Sequence, residues 1–593
     1  MIAVAFVAFV FFLTLLPYEL YSLGETHYFL YAFHRIQPQF LARDWLVTQT
    51  SNPHPFFAVF LAGLKPLGDL PLALFVIHGF QFFFVVLGIL NLTRVFTKDP
   101  RTGILVLCLL LFYFSDGLGQ ESLYSAIVQP SELGRLFYLF SLTALLREKI
   151  LQSWFFLGLT ALFDFLSGFE GLLLFLISWA AQRKWDRRRM VGGLGLFLLL
   201  ASPNLIPIFK NFSLKDAVES PELLKLLFNF RGPHHYRIIT FELAHTFRVL
   251  FPLTFILAKG RHPEARPDRL ARVYVASLLG LGLLAVASIE WFYFPTITQL
   301  RFLRLSPFLL MLGLIFLARS LIEKMDAANP WEKILAGVTL AILFLEKDSR
   351  LFVPLSLFLV FAWNLRSLPA MLLVLPVSLY LWKGRGGEWV FDASLGFILF
   401  FLLNQKTQTK IHPALIAFLV FGIPAVLFQG FFPERVSFHP IQIAPRPPAF
   451  QQDPSLEQAL AWIRTQTPQD SLLLTPPQQD GMRFFAERAI VVDFHANPYR
   501  LSEVKEWKRR LETVSQTLDL EKWVPRGSDT SLQRKMLREG YLRLNTKKVE
   551  AIAHEFGVNY FLTESGFREK KRLTQLGRKL VFENSRYLIF DLN

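Results

Sequence analysis

Phe431-Phe-Pro-Glu-Arg-Val-Ser-Phe-His-Pro-Ile-Gln-Ile-Ala-Pro-Arg-Pro-Pro448 divides the chain into two parts of opposite character. Its prolines fix φ and remove backbone donors, so 431–452 reads as an extended, stiff linker. Before it, residues 1–430 are apolar runs broken by short charged loops. After it, residues 453–593 alternate short strand-like runs with helical patterns. The fold class expected is a polytopic α-helical membrane protein, of about 13–15 spans, with a C-terminal extracytoplasmic α/β domain.

Composition supports the membrane class. Of 593 residues, 53% are hydrophobic, 63 are Phe and only 18% are charged. Soluble domains lie near about 45–50% apolar. The net charge of +16 sits in short loops, which is the signature of orientation in a bilayer rather than of nucleic-acid binding. The single cysteine, Cys108, lies in an apolar run and supports no disulfide framework. Met1-Ile-Ala-Val-Ala-Phe6 lacks a basic region and a cleavage site, and reads as an uncleaved first span.

The most basic loops are Arg94 to Arg101, Arg183 to Arg189, Lys259 to Arg272, Arg319 to Lys333 and Lys406 to Lys410. Placing them on the cytoplasmic side yields spans near 2–17, 70–93, 102–114, 135–147, 151–164, 168–182, 191–209, 241–258, 273–290, 306–321, 334–346, 351–364, 367–382, 389–404 and 412–429. Residues 55–65 read as interfacial or re-entrant. The N-terminus then lies on the inner side of the cytoplasmic membrane. The first loop (Pro17 to Pro55), the loops at 115–134, 210–240 and 291–305, and the C-terminal domain all lie outside. No inverted repeat is visible, which speaks weakly against a transporter.

In the C-terminal domain, Ser455 to Thr467 has helical spacing of Leu456, Leu460 and Ile463. Strands are expected at 471–475, 489–493 and 558–563, helices near 502–516, 531–541 and 547–556, and a closing hairpin of 579–584 with 586–591 turning at Asn584-Ser585. No glycine loop for phosphate occurs. Asp493 and His495 follow a strand end, where α/β folds bind ligands, although capping alone accounts for such a loop.

Ionisable residues beside spans mark the candidate chemistry. In Phe40-Leu-Ala-Arg-Asp-Trp-Leu-Val47, Phe40, Leu41, Trp45 and Leu46 form the apolar face of an interfacial helix holding Asp44 at the membrane boundary, where a general base could meet an acceptor hydroxyl. Simple pairing with Arg43 is the plainer reading. Asp116 and Glu121 lie in Ser115-Asp-Gly-Leu-Gly-Gln-Glu-Ser122, and Glu170 ends Asp164-Phe-Leu-Ser-Gly-Phe-Glu170. These acids suit acceptor contact, a divalent metal or local capping. Arg301 and Arg304 stand at the outer start of a span, where arginines fork onto phosphate or snorkel to headgroups. His234 and His235 in Gly232-Pro-His-His-Tyr236 share that face. Adjacent histidines rarely converge on a metal, and no metal ligand is assigned.

Phe40-Leu-Ala-Arg-Asp-Trp45, Ser51-Asn-Pro-His-Pro55, Gln299-Leu-Arg301, Trp462-Ile-Arg-Thr-Gln-Thr-Pro468, Arg488-Ala-Ile-Val-Val-Asp493 and Tyr587-Leu-Ile-Phe590 resemble patterns in bacterial membrane proteins of the GT-C glycosyltransferase build. The resemblance implies a GT-C-like body and a polyprenyl-phosphate-linked sugar as donor. It implies a catalytic role for Asp44 and a lipid-phosphate contact at Arg301 or Arg304. Unlike many of that class, the first loop has no second acid beside Asp44; Glu19 and Glu25 lie upstream. His54 belongs to the matching segment and joins the candidate substrate contacts.

The function expected is transfer of a sugar from a polyprenyl-phosphate donor to a glycan, lipid or protein acceptor at the extracytoplasmic face of the bilayer. A transporter or lipid flippase predicts ionisable groups at mid-span instead. A non-catalytic scaffold of the same shape predicts no loss of activity on mutation of Asp44.

Overall fold

The computed structural model describes residues 18, 21, 23–112, 117, 118, 121–181, 187–211, 221–237, 241, 243–257, 266–292, 297, 301–343, 363, 453–498, 500–516 and 530–593. The expected spans at 2–17, 351–364, 367–382, 389–404 and 412–429, together with the linker, lie outside these residues, Trp363 excepted. Asp116 lies outside them too.

The expected first loop, 17–55, carries a helix among its described residues, α1 (Leu23–Ile36). Turns then lead to the one-turn helix α2 (Trp45–Gln49). The expected interfacial helix at 40–47 is therefore mostly turn, and its apolar residues are buried. The body continues through α3 (Pro55–Leu64), α4 (Leu70–Phe96), α5 (Pro100–Phe112), α6 (Pro130–Leu146), α7 (Ile150–Phe163), α8 (Phe165–Ala181) and α9 (Arg187–Asn211). Next come α10 (Pro221–Leu226), α11 (Pro233–Tyr236), α12 (Leu243–Leu257), α13 (Arg266–Ala287), α14 (Ser306–Met325) and α15 (Pro330–Leu343). Among the described residues, the stretches Leu70–Phe96, Arg187–Pro207 and Arg266–Trp291 are long and apolar enough to cross a membrane.

Local chemistry sets the boundaries of these helices. Asp69 Oδ1 accepts the Leu72 amide and Pro71 occupies the first turn of α4, a strong N-terminal signal. Small residues allow close packing inside the body: a methyl at Gly193 would strike the Trp154 ring at 2.2 Å, so α9 rests directly against α7.

The C-terminal domain is built on one five-stranded sheet with a buried cluster on each face. Its helices are α16 (Pro454–Gln466), α17 (Met482–Ala486), α18 (Leu501–Val514), α19 (Ser531–Leu542), α20 (Thr546–Phe556) and α21 (Lys570–Gln575). Its strands are β1 (Leu472–Leu474), β2 (Ala489–Ile490), β3 (Tyr560–Glu564), β4 (Lys579–Glu583) and β5 (Tyr587–Asp591). The sheet order is β2-β1-β3-β5-β4. β1 runs parallel to β2 and β3, and β5 runs antiparallel to β3 and β4. Asn584 closes the hairpin by accepting the amides of Arg586 and Tyr587.

Body and domain share a core. One buried cluster joins Leu30, Phe40, Leu41, Trp45, Leu46 and Val47 of the first segment with Leu224, Phe228 and Phe230, and with Leu474, Val491, Trp507, Phe561 and Phe590 of the domain. Polar ties fix the same seam. Arg43 donates to the carbonyls of Asp470 and Gly557 and to Asn559 Oδ1. Glu503 accepts the Ser51 amide at 3.0 Å and its hydroxyl at 2.9 Å. The domain is thus seated on the first segment of the chain.

Candidate active site

The starts of α3, α6, α8 and α14 and the end of α7 converge at one end of the helical body, beneath the α/β domain. Arg135, in the second turn of α6, is held by two carboxylates. Its Nη2 donates to Glu121 Oε2 at 2.6 Å and its Nη1 to Glu132 Oε1 at 2.8 Å. His235 Nδ1 stands 3.6 Å from the other Glu121 oxygen. Burial by itself would raise the Glu121 pKa. Arg135, His235, Arg304 and Arg301 overcome that and hold it down at about 2.

Asp164 sits at the α7–α8 junction, where a reversal of chain direction needs a residue outside helical geometry. Its Oδ2 lies 3.0 Å from Arg304 Nη2 and accepts the Ser167 hydroxyl at 2.6 Å. His54 precedes Pro55, and its Nδ1 lies 3.3 Å from the Phe163 carbonyl. A carbonyl only accepts, so that contact assigns the hydrogen to Nδ1 and leaves the lone pair on Nε2. Burial lowers the His54 pKa to about 4, with Asp164 opposing and Arg304 assisting. The Tyr28 ring meets His54 edge-on at 5.2 Å between centroids.

Arg301 is the distinctive cation. Its guanidinium stands over the Tyr236 ring, 4.8 Å from the centroid. Its φ of 48° places an arginine in the left-handed region, a conformation that costs about 1–3 kcal/mol and recurs at functional sites. Among the described residues, no carboxylate forms an ion pair with it, whereas Arg304 is already engaged by Asp164. Glu170 lies buried in α8, with the Leu305 amide, Arg304, Glu121 and Asp164 acting on it. His234 lies on α11 beside His235.

Sequence reasoning thus named Glu121, Glu170, His54, His235, Arg301 and Arg304, and the fold gathers them. It missed Arg135, Glu132 and Tyr28, and it did not single out Asp164 within its segment. A Glu and an Arg three apart at the apolar start of α6, Glu132 and Arg135, were the available signal.

Asp44 stands apart, and its expected place at a substrate-facing boundary is corrected. It is completely buried and caps α2: Oδ1 accepts the amides of Leu46 and Val47, at 3.0 and 3.4 Å. Oδ2 accepts Arg483 Nε at 2.8 Å and the Ile490 amide at 3.0 Å. Arg483 in turn pairs with Asp493. With four donors on its two oxygens, Asp44 has no room for an acceptor hydroxyl. It fastens the first segment to edge strand β2. Among the described residues, no three His, Cys, Asp or Glu side chains are arranged to hold a metal ion.

Residues 454–514 match a family described as a domain of unknown function, DUF6798. No curated protein matches the chain. Among solved structures, the crystal structure of ArnT from Cupriavidus metallidurans in the apo state is similar at 13% identity and a TM-score of 0.39, over 99% of this chain and 96% of that one.

Proposed function

We propose that the chain is a membrane glycosyltransferase that moves a sugar from a polyprenyl-phosphate donor to an acceptor hydroxyl at the extracytoplasmic face, with the N-terminus inside and the α/β domain outside. The observation that carries this reading is Arg301: a strained arginine, without an ion pair among the described residues, at the helix ends where Glu121, Arg304 and His54 gather. A guanidinium in such a place suits a phosphate, which it can meet with two parallel N–H bonds. Arg304, engaged by Asp164, adds charge nearby and orients the wall.

In the proposed step, the acceptor oxygen forms a bond to the anomeric carbon from the face opposite the phosphate. The bond from that carbon to the phosphate oxygen breaks, and isoprenoid phosphate leaves with the electron pair. The acceptor proton passes to a carboxylate, for which Glu121 replaces Asp44 in our reading. A carboxylate held near about 2 is a weak base. Donor phosphate bound to Arg301 and near Arg304 offsets the cations that depress it, so the substrate itself raises the proton affinity of Glu121. The configuration at the anomeric carbon inverts.

Mass spectrometry of the lipid that co-purifies with the full-length protein tests this. A long isoprenoid phosphate is expected with the wild type and with Glu121→Gln, and its loss is expected in Arg301→Ala. Retention of ordinary phospholipid alone by the wild type, or equal isoprenoid phosphate in Arg301→Ala, would sink the proposal.

A further inference from the structure

Segment 221–237 runs from the α/β domain to the candidate site. It consists of α10, a π-helical turn at Leu227–Arg231 and α11. Elements of six, five and four residues are too short to hold themselves, so packing decides where they lie. Leu223, Leu224, Leu226, Phe228 and Phe230 are buried in the core shared with the domain. The Phe230 ring meets Phe494 edge-on, with centroids 5.3 Å apart. Arg231 fastens this end. Its Nε and Nη2 donate to the His495 carbonyl at 3.1 and 2.7 Å, and its guanidinium stands 5.4 Å from the Phe494 ring centroid.

The other end carries two side chains of the site. His235 faces Glu121, and the Tyr236 ring lies under the Arg301 guanidinium. The Phe228 ring backs Tyr236, with centroids 4.5 Å apart. Arg301 therefore rests on a ring that rests on a ring of the domain's core. Its Nε has no hydrogen-bond partner among the described residues, so the stack is a support that no polar contact at that atom replaces. The segment is also tied to itself. The His235 amide donates to the Gly232 carbonyl at 3.1 Å, the Arg237 amide to the Pro233 carbonyl at 2.8 Å, and Arg237 Nη1 to Asn229 Oδ1 at 3.1 Å. A displacement at Arg231 thus reaches Tyr236 within one compact turn.

The domain end is pinned in turn. Asp493 pairs with Arg483 of the Asp44 lock and accepts the Ala496 amide at 2.6 Å. Its carbonyl accepts Trp507 Nε1 at 2.9 Å. The turn that presents the His495 carbonyl to Arg231 is therefore fixed on both sides.

We propose that the α/β domain completes the donor site: through segment 221–237 it sets where the Arg301 guanidinium stands, and Arg231 is the positioning residue that fastens the segment. The inference rests on the sugar-transfer reading, which gives Arg301 its phosphate. Arg231 itself touches no reacting group; it acts through Phe228, Tyr236 and Arg301.

The test uses the full-length protein in detergent, titrated with farnesyl phosphate, with farnesol as control. Binding above farnesol that depends on Arg301 is expected, and its affinity should fall about fivefold in Arg231→Met. In a Tyr236→Leu background, which lacks the ring beneath Arg301, the same change should add little. A tie that only stabilises the fold would give equal losses in both backgrounds. Phe228→Leu keeps an apolar side chain in the core and removes the ring behind Tyr236, so it makes the same prediction should Arg231→Met unfold the domain. Hydrogen exchange gives a reading that needs no ligand: the His235 and Arg237 amides should lose protection in Arg231→Met, while Leu473 and Leu474 of β1 keep theirs. Unchanged affinity in folded Arg231→Met and Phe228→Leu, or equal losses in both backgrounds, overturns the positioning role and leaves the sugar-transfer reading in place. Farnesyl phosphate bound no better than farnesol removes that reading instead. The link from domain to α11 then stands if His235 and Arg237 lose protection and falls if they do not.

Discussion

Asp44 shows how burial reassigns a residue. Removing one member of a buried, hydrogen-bonded ion pair costs about 3–5 kcal/mol, because its partner stays buried and uncompensated. Asp44→Ala is therefore expected to lower the thermal midpoint of the full-length protein sharply, and Asp44→Asn less so. An Asp44→Asn protein with a wild-type midpoint and no transfer would return a chemical role to the residue. Its partners lie 439 and 446 positions downstream, so no local pattern could expose them. Glu121, Glu170, Arg301 and Arg304 were legible for the opposite reason: ionisable side chains stand out among apolar runs wherever the chain later folds. His54 carries a pH signature. Its pKa is about 4 folded against about 6.5 unfolded, so the unfolded chain binds a proton that the folded one refuses between those values. Stability is full above about 6.5 and falls as pH drops to about 4, with a slope of at most about 1.4 kcal/mol per pH unit. Glu121 acts lower down: its contribution is complete above its ordinary value and is lost as pH falls toward about 2. Denaturant titrations at several pH values should show a shallower slope between 6.5 and 4 in His54→Gln. Some slope remains, because burial holds His495 well below its ordinary value too. An unchanged slope would mean that His54 is charged in the folded protein.

Among elements, the amphipathic helices of the domain were legible, and the helix caught between two cores was not. α18 and α20 bury single stripes, Val504, Trp507 and Leu511 in one and Val549 and Ile552 in the other, and their sequences show the helical period. The antiparallel hairpin was legible from its turn residues. α1 was hidden because it lies between two cores. Phe29 and Ala32 pack toward the body and Leu30 toward the domain, so aromatic residues wrap around the helix and blur its period. β2 is shorter than its apolar run, since beyond Ile490 the chain turns toward Asp493. Packing between helices turns on Gly540 in α19. A methyl there would lie 1.9 Å from the Ser515 carbonyl oxygen at the end of α18, and backbone cannot yield as a side-chain tip can. Gly540→Ala should therefore destabilise the protein by about 1–3 kcal/mol or more, read as a lower thermal midpoint. Gly566→Ala, which meets open space, should leave the midpoint unchanged.

At the scale of the whole molecule, the composition break at the linker invites a picture of a body and a free domain, whereas the packing joins the two. α2 has five residues, too few to stand alone, and survives through the Asp44 cap and burial of Trp45, Leu46 and Val47 in the domain's own core. The Arg510 guanidinium covers the Trp45 ring at 4.7 Å, which closes the seam from the domain side. Segment and domain should thus open as one cooperative unit. Hydrogen exchange on the full-length protein reads this directly. The Leu46 and Val47 amides, which donate to Asp44, should match the protection of Leu473 and Leu474 in β1. Arg483→Met leaves Asp44 and Asp493 without their shared cation, so both groups should lose protection by the same factor, while the Val85–Ile89 stretch of α4 stays unchanged. Loss confined to Leu46 and Val47, with β1 still protected, would mean that the domain folds independently and that the first segment merely leans on it.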